Sequence, residues 1–169
     1  TTYLTDLKAD GDFADWRARS RALLAAGVAP EHTQWDDAHR QPELVVPDPV
    51  ATDGNGASFR ISPQLYDLLE TTACHRDARR FAVMYRLLWR VTHGTPHLLE
   101  DAADDDVRAV TRMARAVRLD SHKMTAFVRF REVRPPDAGE STWIAWYEPS
   151  HRIIARTAPF FVKRFGAPD

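Results

Sequence analysis

Four histidines, His93, His97, His122 and His151, fall in the second half of this chain, each near the end of an expected helix or strand. Imidazole titrates near neutral pH, so such positions can give or take a proton. If a hairpin brings its strand ends together, His122, His151 and Glu148 converge as an acid–base set, the equipment of an enzyme acting on a modified base or nucleotide. His93 and His97 have the spacing of a zinc-binding helix, but Gly94 and Pro96 between them forbid a regular one, and no metal or cofactor is expected. The plainer role for all four is hydrogen bonding or contact with phosphate.

Arginine offers a second chemistry. Residues 107–165 hold twelve bases against five acids, whereas residues 1–60 hold ten acids against six bases. Such an asymmetry marks an anion-facing half. At 100° per residue, Arg108, Arg112 and Arg115 fall within about 60° of one another, opposite an apolar stripe. Guanidinium groups one turn apart match successive phosphate oxygens. An ordinary charged outer helix face would look the same, and arginine supplies 20 of the 23 bases, a bias that GC-rich coding also produces. Beyond them, "HKMTAFVRF" (122–130) reads as a strand from Met124 to Phe130 with one covered face. Lys123, an outward Phe127, Arg129 and Arg131 would then hold phosphate and stack a base. Its match to the strand of the RNA-recognition motif is partial, because Met124 and Thr125 do not fit.

Five acids in seven residues, Glu100, Asp101, Asp104, Asp105 and Asp106, precede the arginine helix. They suit either a hard cation such as Mg²⁺ or the positive end of a helix dipole with Asp104 as cap, and the dipole is the simpler account. The single cysteine, Cys74, excludes an internal disulfide, a four-cysteine zinc site and a complete iron–sulfur cluster; it reads as a small hydrophobe. Phosphate loop, nucleophile elbow and dinucleotide fingerprint are all absent.

These groups need a scaffold, and the apolar spacing supplies one. A strand is expected at Tyr3–Leu7. Asp12 caps a helix that Gly27 stops. Residues 31–60 read as irregular loop or linker, with a brief strand at Leu44–Val46. Ser62 and Pro63 open a second helix, Asp77 a third that closes at Gly94, and Asp104 a fourth that reaches Leu119. A turn at "RPPDAGE" then leads into a returning strand, Trp143–Tyr147. Thr157 and Pro159 open a final helix. The expected fold is a single α+β domain over residues 1–169, in which three to five helices pack on a small antiparallel sheet containing a C-terminal β-hairpin. No apolar run is long enough for a membrane span and no signal peptide opens the chain, so a cytoplasmic protein without membrane partners is expected.

The strings "HLLEDAADDDV", "HKMTAFVRF" and "APFFVKRF" resemble an uncharacterised bacterial domain family described as probable DNA metabolism proteins. Its members occur fused N-terminally to UdgX-type uracil-DNA-binding glycosylase-like domains, or encoded beside a DNA-repair radical SAM protein. The resemblance covers most of residues 12–165, with its core at 61–165. Its pattern matches at His93, His97, Glu100, His122, Lys123, Phe127, Phe130, Trp146, Glu148 and His151. It implies a DNA-associated accessory module in repair or DNA metabolism, with DNA as partner and a UdgX-type domain or radical SAM protein nearby. The glycosylase domain and its cysteines are missing here, so no uracil chemistry attaches to these residues. Relatives are expected to continue past "APFFVKRF" with another strand, so the chain reads as a trimmed form of a longer protein.

Overall fold

The computed structural model of the protein describes residues 3–7, 13–37, 59–134 and 142–165. The described residues form an α+β fold of five helices with two small two-stranded sheets. Strand β1 (Tyr3–Leu7) pairs in parallel with β2 (Thr33–Asp37), Tyr3 opposite Thr33, and helix α1 (Phe13–Ala25) lies between them in sequence. Thus β2 occupies part of the stretch expected to be irregular. Its five residues are too few for periodicity to reveal. The strand expected at Leu44–Val46 lies outside the described residues.

Helices α1 to α3 start or stop at signals their sequences carry. At Gly27, with φ of +67°, Val28 N–H bonds Leu23 O and Gly27 N–H bonds Leu24 O, the paired bonds of a Schellman stop. Helix α2 (Pro63–Ala73) starts with Ser62 Oγ accepting from Leu65 N–H at 3.1 Å. Helix α3 (Arg80–Thr92) runs to Gly94, where φ is +114°. Trp16, Leu65, Leu69, Phe81, Met84, Tyr85, Leu87 and Val110 form the main core, all but sealed from solvent. Arg80 is also fully buried; its guanidinium donates to Ala73 O at 2.9 Å and Asp77 O at 3.1 Å, closing the carbonyl end of α2.

The fourth helix departs most from expectation. Helix α4 spans Asp105–Phe127, so His122–Phe127 are its last turns and the strand expected at Met124–Phe130 is not formed. Val117, Asp120 and Met124 are buried three and four residues apart, which continues the α-helical stripe of Val107, Val110, Met113 and Ala114. Over so short a run the 2-residue and 3.6-residue patterns share positions, and core packing decides between them. Thr125 Oγ1 donates to Ser121 O and Val128 N–H to Met124 O, completing the helical ladder.

The expected hairpin follows. Strands β3 (Arg131–Val133) and β4 (Thr142–Ile144) pair antiparallel, Arg131 opposite Ile144, and the turn expected between them lies mostly outside the described residues. The returning strand is shorter than expected and ends at Ile144. Helix α5 (Ile154–Phe165) begins earlier than expected, with Pro159 inside it. Thr157 is therefore not its cap: it is buried, and its hydroxyl donates to Ile153 O at 2.9 Å and approaches Met124 Sδ at 3.1 Å. Ile153, Phe161, Met124 and Val117 form a second, smaller core that joins α5 to the far end of α4. Among the described residues, no helix is long and apolar enough to cross a membrane.

A cationic helix face and a paired-histidine turn

Because α4 runs on to Phe127, its outer face is longer than the sequence suggests. Arg108, Arg112, Arg115, Leu119, His122 and Lys123 are all exposed, and at 100° per residue they share an arc of about 100° opposite the buried stripe. From Arg108 to Lys123 the ridge is about 22 Å long, at 1.5 Å per residue. Arg112, Arg115 and Lys123 have no ion pair among the described residues, while Arg108 makes only a loose 3.9 Å approach to the fully exposed Asp105. The remaining α4 arginine, Arg118, lies off this arc and binds Asp67 of α2 at 2.7 Å.

Apart from Asp105, the acidic run before α4 makes no ion pair with these cations among the described residues. Asp104 caps the helix, accepting from Asp106 N–H and Val107 N–H at 3.0 and 3.1 Å. Arg90 holds Asp104 at 2.7 Å and reaches Asp106 at 3.2 Å, and Arg86 holds Asp106 at 2.7 Å. The Arg90 hydrogen bond keeps the Asp104 carboxyl below its ordinary pKa. These two carboxylates thus serve the helix start and α3, and no cluster suited to a metal ion occurs among the described residues.

The hairpin side of the expected basic face is weaker. Arg129 folds back so that Nη1 donates to Ala126 O at 2.9 Å and Val128 O at 3.2 Å, which neutralises the negative end of α4. Arg131 is exposed on β3, and Phe127 stands well into solvent at the last position of α4. Phe127 is therefore a helix-end ring, not the flank of a basic strand.

The histidines separate into two groups. His93 stacks on Trp89 with ring centres 3.7 Å apart, and His97 meets Glu100 at 3.1 Å; both pairs lie in the α3–α4 connection. His122 lies about 17 residues along α4 from its start, roughly 26 Å away at the helical rise. His151 has partners the sequence did not indicate. Its ring stacks on His75 at 4.3 Å, its Nδ1 accepts from Arg76 N–H at 3.3 Å, and its own N–H donates to the buried Asp120 carboxylate at 2.8 Å. His75 Nδ1 accepts from Asp77 N–H at 3.0 Å. Arg76 Nη2 donates to Pro149 O, and Arg152 N–H to Cys74 O, so the turn before α5 is laced to the end of α2. Among the described residues no hydrogen bond joins His122, His151 and Glu148. Glu148 and Trp146 are exposed, Trp146 at 88%.

Burial lowers the pKa of both His75 and His151; His151 adds to this at His75, and Arg76 adds to it at His151, partly opposed by Asp120. Both rings are therefore neutral at pH 7, with the proton on Nε2 because Nδ1 accepts in each. Burial also raises the pKa of Cys74, which keeps it a protonated small hydrophobe against the second core.

Fold and site together define a small α+β domain whose longest helix carries an unneutralised cationic face. A family model described as a domain of unknown function, DUF4130, matches residues 78–169, more than half of the chain, and the chain belongs to that family. The match takes in α3, α4, the hairpin, α5 and His151 but begins after His75. No curated protein and no solved structure matches the chain.

Proposed function

We propose that this chain is a DNA-associated accessory module of repair or DNA metabolism that holds the sugar–phosphate backbone along α4. One observation carries the reading: Arg112, Arg115 and Lys123 lie on one exposed helix face with no ion pair among the described residues, and Arg108 beside them has only the loose 3.9 Å approach to Asp105. A row of cations without close partners can neutralise successive phosphates and release their counterions, which makes binding to a polyanion favourable and salt-dependent. The resemblance of the α4 and α5 strings supports a place beside a UdgX-type glycosylase-like domain or a radical SAM repair protein. Anisotropy titrations with single- and double-stranded oligonucleotides at low ionic strength test the reading. Arg112→Ala/Arg115→Ala should weaken binding, and Arg21→Ala on α1 should not; absence of binding by the native chain overturns it.

A protein-docking role is favoured by a different observation. The rings of Trp143, Phe165, Phe130, Phe161 and Phe160 form a connected string between hairpin and α5. Beside them Ile144 and Val162 are more than half exposed, an apolar display larger than scattered surface residues require. Association that resists salt and fails in Trp143→Ser would support that role.

A further inference from the structure

We infer that His75 and His151, with the guanidinium group of Arg76 beside them, form a site for a phosphate dianion. Their Nδ1 atoms accept from the consecutive backbone amides of Arg76 and Asp77, so both rings have one orientation of proton and turn Nε2–H away from that loop. Neither Nε2 has a hydrogen-bond partner among the described residues, and both rings are part exposed. Two preset donors stacked at 4.3 Å can address two oxygens of one tetrahedral anion.

Positive charge lies near both rings. Arg112 on α4 is near enough to disfavour protonation of His75, and Arg76 does the same at His151. Carboxylates also lie near: Asp77 takes two hydrogen bonds from the Arg79 guanidinium, Asp120 accepts the His151 backbone N–H, and Glu70 acts on the adjacent Cys74. Arg80 of α3 adds positive charge beneath His75, and Arg156 of α5 faces the adjacent Cys74. Arg112 also belongs to the α4 ridge, so a strand lying on that ridge passes near this turn, and one that ends there would present a terminal phosphomonoester to it. That source of phosphate rests on the proposed function, whereas free phosphate does not.

The test has two arms. In the first, inorganic phosphate is titrated against chloride at constant ionic strength while the imidazole nitrogens are followed by NMR; the pKa values of His75 and His151 should rise together and saturably. In the second, a 5′-phosphorylated oligonucleotide should bind about tenfold more tightly than its 5′-hydroxyl counterpart. His75→Asn/His151→Asn, which keeps an acceptor near each Nδ1 but removes both Nε2–H donors, should abolish that preference and leave the 5′-hydroxyl affinity unchanged. A response to inorganic phosphate without end discrimination supports the site and assigns it to free phosphate. Silence of both imidazoles together with no discrimination overturns the proposal. Should no oligonucleotide bind at all, the proposed function fails, and the phosphate arm on the native chain still decides the site.

Discussion

Removing the Asp120 carboxylate should loosen the tie between the helical core and the C-terminal segment. Asp120 is buried, and its Oδ2 accepts the His151 backbone N–H at 2.8 Å across 31 residues of sequence. A hydrogen bond to a charged group contributes about 1.5–3 kcal/mol, and its loss leaves the partner donor unpaired. For a chain of 169 residues, each kcal/mol shifts the melting temperature by about 2–4 °C. Asp120→Ala should therefore lower Tm by roughly 3–12 °C, and Asp120→Asn, which keeps a neutral acceptor, by less. Asp105→Ala, on the same helix but fully exposed, serves as control. Calorimetry on the three variants measures this directly. If Asp120→Ala melts with the native protein, the turn before α5 is not held as described, and the histidine stack that depends on it loses its footing.

Two further outcomes follow from packing and charge. Met124 is buried against Thr157 on α5, so Met124→Ala should cost about 2–4 kcal/mol in denaturant unfolding. Lys123→Ala and Phe127→Ala, on the exposed face, should cost little; a reversed ranking would restore the strand reading of this segment. His75 and His151 are held below their ordinary pKa of 6.5, so the folded state favours the neutral rings. Their contribution is complete above pH 6.5 and is lost as pH falls below it. Asp77, held down to about 2 by the Arg79 hydrogen bonds, and Asp104 weaken the fold only at more acid pH. Unfolding free energy should thus decline as pH falls below about 6.5, and His75→Asn/His151→Asn should flatten that decline.

Much of the scaffold was legible because capping and stop signals are local. Ser62, Pro63, Asp104, Gly27 and Gly94 act where they stand. The extent of α4 was not legible, since Met124 and Val128 satisfy either period until Val117, Ile153 and Phe161 settle which face is buried. The arginines 108, 112 and 115 were found by helical spacing, and the same spacing extended past Leu119 adds His122 and Lys123. Arg129 looked like a free cation but bonds the helix end, a contact only the true end of α4 creates. The His75 partnership was invisible for another reason: it spans 76 residues and depends on how the turn before α5 meets α2, information that lies in no single segment.

The claim that α4 is a phosphate-facing ridge is tested most directly by the salt dependence of DNA affinity. Four contacts, from Arg108, Arg112, Arg115 and Lys123, give an expected slope of about −3.6 in log K against log salt for duplex and about −2.8 for single strands. Arg112→Ala/Arg115→Ala should halve both slopes. A native slope near zero, or one that the double variant leaves unchanged, would contradict the account.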